Sequence, residues 1–264
     1  MNKKLFDMTE KTVIITGAAG LLGQQYAVGL SQHGANVILA DTDYSKCKQI
    51  SKQLNEEFDV KSFPIKVDIS NQKSVKNLAN QCIKKYSKID VLINNAAYQG
   101  NDKIRSTNFV DLPLSIWNKS ISVNLTGMFL CCQEIGKVME KQKNGVIINI
   151  SSTYGIVSPD QRIYGKSGQN AGIFYSVTKS GVLNLTRYLA SYWSNTGIRV
   201  NTLSPGGVEK GQDSTFVKKY SEKTMLGRMA KKDDYVGAII FLASDASSYM
   251  TGSNLVIDGG WTAW

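Results

Sequence analysis

A short β-branched run, Thr12-Val13-Ile14-Ile15, leads directly into the glycine turn Thr16-Gly17-Ala18-Ala19-Gly20-Leu21-Leu22-Gly23. The turn opens into a helical pattern from Gln24 to Gln32 that is stopped near Gly34. A buried strand joined to a helix through glycines constrains the fold more than any other feature of the chain. Glycines let the backbone approach a pyrophosphate, whose charge then rests on the free N–H groups of the helix N-terminus. A tight turn with no ligand is the bland alternative, and the strand–turn–helix context speaks against it.

A second strand, Asn36-Val37-Ile38-Leu39-Ala40, ends in Asp41, 18 residues past Gly23. At about that spacing a carboxylate accepts hydrogen bonds from the adenosine ribose hydroxyls and repels a 2′-phosphate. Asp43 adds negative charge, and Gly20 occupies the place where an arginine would meet a 2′-phosphate. NAD is therefore expected over NADP, with Lys46 and Lys48 close by as the counterargument.

Apolar runs alternate with helical patterns along the whole chain. Strands are expected at 12–16, 36–40, 62–67, 90–94, 145–151, 198–203 and 254–258. Helices are expected at 21–33, 43–57, 71–87, 115–140, 174–196, 214–222 and 232–244. That alternation predicts an α/β fold, a Rossmann-type doubly wound parallel sheet with helices on both faces and ligands at the C-terminal strand ends. With 264 residues and no linker, repeat or low-complexity tract, residues 1–264 read as one domain. Substrate loops are expected at about 153–174 and 206–228.

Several polar or small residues fall at those strand ends. Asp68 follows the third strand, Asn94-Asn95-Ala96-Ala97 the fourth, and Pro205-Gly206-Gly207 the sixth. Asn124 sits inside a long predicted helix, where asparagine is a poor helix former. Its alternatives are a polar role at the site and a buried amide that bonds backbone.

Chemistry enters with Tyr175-Ser176-Val177-Thr178-Lys179 and the upstream Ser152. A tyrosine and a lysine four residues apart share one helix face. An ammonium beside a phenol favours the phenolate, which suits the tyrosine to exchange a proton with an alcohol oxygen. A serine hydroxyl at the end of the preceding strand is placed to hold the same oxygen.

Other functions find little support. The four cysteines (Cys47, Cys82, Cys131, Cys132) lack metal-ligand spacing, and His33 is the single histidine, so no metal site is expected. Reduced thiols point to the cytoplasm. Lys3 and Lys4 are followed by Asp7 and Glu10 with no apolar run of leader length, and no segment is apolar enough to span a membrane. The formal charge of +10 comes from scattered lysines, not a basic tail, which argues against nucleic acid and for an anionic small molecule.

Taken together these residues resemble the short-chain dehydrogenase/reductase family, in its single-domain branch, from about residue 10 onward. The resemblance implies Ser152, Tyr175, Lys179 and a supporting Asn124 as the catalytic set. It implies cofactor contacts from Gly17, Gly20, Leu22, Gly23, Asp41, Asp68, Ile69, Asn95, Ala96, Tyr175, Lys179, Pro205 and Gly206. It also implies a homodimer or homotetramer. In the implied mechanism Lys179 lowers the Tyr175 pKa, and Asn124 holds a water on a proton path to solvent.

Two departures stand out. Leu21 replaces the branch's middle glycine, and Ser152 lies 23 residues before Tyr175 where about a dozen is usual. The extra segment, 158–170, is polar and offers Arg162, Tyr164 and Lys166 as substrate donors, with a solvated loop as the alternative. The stretch from Tyr154 through Arg162-Ile163-Tyr164 and the ending Gly260-Trp261-Thr262-Ala263-Trp264 are similar to bacterial members linked to flagellin-glycan and nonulosonic-acid pathways. This softer resemblance implies a sugar phosphate or nucleotide sugar as substrate. The alternatives are a 3-oxoacyl-type or general carbonyl reductase, and a non-catalytic dinucleotide-sensing regulator.

Overall fold

The computed structural model describes residues 5–264, so Lys3 and Lys4 lie outside the described residues. Seven strands form one sheet: β1 (Thr12–Thr16), β2 (Asn36–Asp41), β3 (Phe63–Lys66), β4 (Val91–Asn94), β5 (Gly145–Ile150), β6 (Ile198–Pro205) and β7 (Asn254–Ile257). All neighbours pair parallel, in the order β3-β2-β1-β4-β5-β6-β7. All of β1 is buried, with Val13 and Ile15 in one core cluster and Ile14 in the other. A strand buried on both faces needs no polar side, which is why these segments read as continuous apolar runs.

Nine α-helices connect and flank the strands: α1 (Leu21–Gln32), α2 (Tyr44–Glu57), α3 (Gln72–Tyr86), α4 (Asp102–Arg105), α5 (Leu114–Ser120), α6 (Met128–Gln142), α7 (Ile173–Tyr192), α8 (Ser214–Ser221) and α9 (Val236–Ala243) among the described residues. Side chains of α1, α2 and α9, such as Leu30, Leu54 and Ile239, build one core; those of α3, α6 and α7, such as Leu78, Ile135 and Val182, build the other. The sheet reverses its winding between β1 and β4, and the crevice there is where ligands of such sheets bind. This is the Rossmann-type architecture expected from the sequence.

Three elements differ from expectation. The single helix expected over 115–140 is α5, then a π-helical stretch over Ile121–Gly127, then α6. A π turn carries an extra residue and tilts the side chains that follow. Asn124 sits in it. The last helix starts at Val236 rather than 232, because Asp234 accepts the Lys231 N–H and pairs with Arg228 in a turn. The four-residue α4 has no counterpart in the sequence reading.

A third, smaller cluster ties the extra segment to the rest. Ile163, Tyr220, Met229 and Trp261 are buried together, with Tyr154, Tyr164 and Phe216 packed against them. Tyr164 meets Phe216 of α8 at 5.1 Å between ring centroids, and Tyr220 meets Trp261 at 4.4 Å.

All four cysteines are free and buried, Cys47 on α2, Cys82 on α3, and Cys131 and Cys132 on α6. Burial pushes the thiols of Cys47, Cys82 and Cys132 up to about 12. Among the described residues no helix is long and apolar enough to cross a membrane.

Candidate active site

A cavity of about 980 Å³ runs along the C-terminal strand ends. Gly17, Gly20, Leu22, Asp41, Asp68 and Ile69 line one end, and Asn95, Ala96, Pro205 and Gly206 line its floor. Ser152, Tyr175 and Lys179 line the middle.

The glycine end is built tightly. Gly17 has φ +66°, and a Cβ on it would stand 2.7 Å from the Ala96 Cα, so no other residue fits there without strain. Asn95 holds the turn by donating from Nδ2 to the carbonyls of Thr16 (3.0 Å) and Gly17 (3.1 Å). Gly23 does not line the cavity; it lies behind the turn, where a Cβ would meet the Ala18 Cα at 2.8 Å. Its role is helix-to-turn packing, which corrects the expected cofactor contact. Leu21 simply opens α1, so the missing middle glycine leaves the turn intact.

Asp41 ends β2 with one carboxylate oxygen accepting the Ala19 N–H at 3.0 Å, which fastens the acid to the glycine turn. The other oxygen accepts the Asp43 N–H at 3.0 Å. Asp68 accepts the Ser70 hydroxyl at 2.6 Å, and that bond above all holds its carboxyl below the usual range. These acids, the turn and the free α1 N-terminus fit a dinucleotide: an open cradle for phosphates, with carboxylates where ribose and adenine would lie.

In the middle of the cavity, β5 and α7 bring the proton-handling groups together. Gly155 allows this, because a Cβ there would meet Ser151 Oγ at 2.5 Å and the Lys179 carbonyl at 2.7 Å. Ser151 Oγ then donates to the Lys179 carbonyl at 2.7 Å, docking α7 against the end of β5. The Ser152 hydroxyl accepts the Tyr154 N–H at 3.2 Å and lies close enough to Tyr175 to favour its phenolate. Lys179 is buried, its Nζ donating to the Ile150 carbonyl at 2.6 Å and standing 5.6 Å from the Tyr175 ring centre. Burial pulls the ammonium down to about 8.

Burial pushes the Tyr175 phenol above its ordinary value. The Ser152 hydroxyl, the positive charge of Arg105 and the Gln99 amide work against that rise, in that order. The cation expected to act on Tyr175 was Lys179; the one whose field is felt here is Arg105. Neither Gln99 nor Arg105 was singled out from the sequence. The only signal was their place just after Asn94-Asn95-Ala96-Ala97, at a C-terminal strand end.

Asn124 does not line the cavity. Its Oδ1 accepts the Tyr98 N–H at 2.6 Å and its Nδ2 donates to the Tyr98 carbonyl at 3.0 Å, to Ser120 Oγ and to Thr178 Oγ1. Of the two sequence readings, the structure has the buried amide that bonds backbone.

The expected substrate donors separate. Tyr164 lines the cavity; Arg162 and Lys166 do not. Arg162 donates from Nε and Nη2 to Asp160, two residues away, and its side chain is 83% exposed. Local pairing has taken the arginine away from the site, a correction to the sequence expectation.

A strand-end cavity that joins a phosphate cradle to a Ser–Tyr–Lys group defines a dinucleotide-dependent oxidoreductase of alcohols and ketones. A family profile described as Enoyl-(Acyl carrier protein) reductase matches residues 17–262. Post-translational flagellin modification protein A of Campylobacter coli is 32% identical over 254 residues, covering 96% of this chain and 99% of that relative. The 3-oxoacyl-(acyl-carrier-protein) reductase of Thermotoga maritima is 34% identical, covering 95% and 97%. The crystal structure of a gluconate 5-dehydrogenase from Burkholderia cenocepacia J2315 with NADP and tartrate matches with a TM-score of 0.89 at 27% identity, covering 98% of both chains. The chain belongs to the short-chain dehydrogenase/reductase family. Relatives named for NAD and others named for NADP are both found.

Proposed function

We propose that the chain is an NAD-dependent dehydrogenase that interconverts a secondary alcohol and a ketone on a polar, anionic sugar-type substrate. The observation that carries the reading is the lining of the cavity beyond Tyr175. There Gln99, Arg105, Tyr164, Gln169, Asn170 and Lys210 present amides, a hydroxyl and cations beside the apolar side chains of Val208, Phe216 and Met229, a mixture that suits a polar substrate better than a steroid or an acyl chain. NAD rather than NADP is supported by the Asp41 carboxylate, fixed to the glycine turn at the place a 2′-phosphate would need.

The dinucleotide, when bound, supplies the hydride acceptor. The rest falls to the protein. Tyr175, as phenolate, takes the hydroxyl proton while the carbon loses hydride, and returns it in the reverse direction. Ser152 Oγ hydrogen-bonds the same oxygen and shares its changing charge. Lys179 and Tyr175 would hold the nicotinamide ribose, and the positive field that favours the phenolate comes from Arg105. Asn124 acts indirectly, by fixing Tyr98 and thereby the strand-end segment that carries Gln99.

Assembly into a dimer or tetramer belongs to the same reading, supported by the exposed Phe129, Val177, Tyr188 and Tyr192 on α6 and α7. A cytoplasmic location does too, supported by four free thiols. A second reading, a 3-oxoacyl-type reductase, is favoured by the family profile and the Thermotoga relative.

The deciding experiment follows NADH absorbance with a panel of aldonates, sugar phosphates, nucleotide sugars and uncharged polyols, alongside NADPH-dependent reduction of a 3-oxoacyl thioester. Oxidation of anionic sugars with NAD supports the first reading. Turnover of the thioester alone with NADPH would replace it with the second.

A further inference from the structure

The substrate end of the cavity is lined by two cations that come from separate segments of the chain. Arg105 ends α4 on the segment that follows β4, and Lys210 lies in the loop that follows β6. Both positions are fixed by neighbours. The Arg105 carbonyl accepts the Asn170 N–H at 2.8 Å, and Asn170 Nδ2 donates to the Thr107 carbonyl at 2.9 Å, so the extra segment straps α4 in place. Arg105 Nη2 donates to Gln99 Oε1 at 3.3 Å, which holds the guanidinium beside another cavity-lining side chain. In the loop after β6, the Lys210 N–H donates to Gln212 Oε1 at 2.7 Å, and Gln212 Nε2 donates to the Val208 carbonyl at 2.7 Å.

The two charges feel one another. Burial and then the Arg105 charge lower the Lys210 ammonium, with Asp102 opposing them. The Arg105 field also reaches the phenols of Tyr164 and Tyr175. Two like charges lining one cavity repel, and an anion bound beside them relieves that repulsion while gaining charge-assisted hydrogen bonds. The nearby acids leave room for it. Asp213 is committed to the N-cap of α8, accepting the N–H groups of Thr215 and Phe216, and Asp102 offsets one of the two cations. Of the two other cavity-lining cations, Lys119 acts at Asp68, the dinucleotide end, and Lys179 is held by the Ile150 carbonyl.

We infer that Arg105 and Lys210 form a subsite for a carboxylate or phosphate group of the substrate, one that orients its hydroxyl toward Tyr175 and Ser152. The inference rests on the proposed oxidation of a sugar-type alcohol and adds the residues that read its charge. Arg105 is the directional partner, since its planar fork matches either anion; Lys210 contributes a point charge. The subsite takes over the role expected of Arg162 and Lys166.

The test has two arms. The first compares kcat/KM for gluconate, glucitol 6-phosphate and uncharged glucitol in the wild type, Arg105→Gln, Arg105→Lys and Lys210→Gln. The preference for the anionic substrates over glucitol should fall about 10–100-fold in Arg105→Gln, chiefly through KM, with partial recovery in Arg105→Lys and a smaller loss in Lys210→Gln. Whichever of gluconate and glucitol 6-phosphate loses more identifies the anion as carboxylate or phosphate. The second arm needs no turnover: calorimetry of gluconate and of inorganic phosphate binding to the NADH-saturated protein, where Arg105→Gln and Lys210→Gln should both bind more weakly, Arg105→Gln by about tenfold or more. Equal losses for charged and uncharged substrates, or anion binding unchanged in both variants, would overturn the subsite while leaving a dehydrogenase. Variant-sensitive anion binding in a protein that oxidises no alcohol would keep the subsite and remove the proposed function.

Discussion

Asn124 holds Tyr98 by both of its backbone polar groups, the N–H at 2.6 Å and the carbonyl at 3.0 Å. The amide comes from the π-helical stretch, and the residue it grips leads directly to Gln99, whose amide opposes the burial-driven rise of the Tyr175 phenol. One side chain thus joins an irregular helix turn to the strand-end segment that borders Tyr175.

Asn124→Ala removes both partners of Tyr98 and should cost about 1–3 kcal/mol of stability, the usual consequence of stranding part-buried backbone groups. Turnover should fall further than stability explains, with the KM for dinucleotide little changed. Urea melts and steady-state kinetics on one preparation check this; a proportional loss of kcat and dinucleotide affinity would count against an effect confined to the Tyr98–Gln99 segment.

Tyr175→Phe keeps the ring and removes the proton carrier, so turnover should drop about 10²–10⁴-fold. In the wild type, alcohol oxidation requires the phenolate and burial raises the phenol, so the oxidative rate should climb with pH through the alkaline range. Arg105 lowers that phenol, so Arg105→Gln should move the alkaline limb to higher pH. A pH–rate profile whose limb stays put in Arg105→Gln would dissociate the guanidinium from Tyr175.

Lys179→Met should separate activity from stability. Burial holds the ammonium at about 8, below its ordinary 10.5. Between these values the unfolded chain binds more protons than the folded one, so this residue's contribution to stability rises with pH; it is fully present above the ordinary value and lost as pH falls through about 8. At neutral pH the methionine variant should be at least as stable as the wild type, an advantage that shrinks by about pH 10, while turnover collapses. Denaturant unfolding at both pH values reads the difference.

Asp41→Asn retains an oxygen for the Ala19 N–H but drops the charge. The ratio of kcat/KM for NAD over NADP should fall by about 10-fold or more, since charged hydrogen bonds to the ribose weaken and repulsion of a 2′-phosphate goes. An unchanged ratio would locate selectivity elsewhere in the turn.

The strands were legible because parallel strands buried on two faces must be continuous apolar runs; β1 through β7 all fall within two residues of their expected bounds. Long capped helices were legible for a related reason, as with α3, where Asn71 accepts the Ser74 N–H. The π turn at Asn124 was not, because a one-residue change of register disturbs periodicity too little to notice. Arg162 was misjudged for a local reason: an aspartate two residues away outcompetes a distant cavity. Conversely, Arg105 sits on a helix of four residues, too short for any pattern, and becomes meaningful only once the fold brings it into one cavity with Lys210. Gly23 looked like a ligand contact because a glycine motif names its members without telling which of them face outward.

The buried thiols give this protein an internal clock. Thiolate is the reactive form, and at neutral pH the folded chain offers almost none of it at Cys47, Cys82 or Cys132. Alkylation by an added reagent therefore proceeds only as fast as the structure opens. With Cys47 beneath one layer of helices and the other three beneath the opposite layer, mass-resolved labelling would time the two sides of the sheet separately, without any introduced probe.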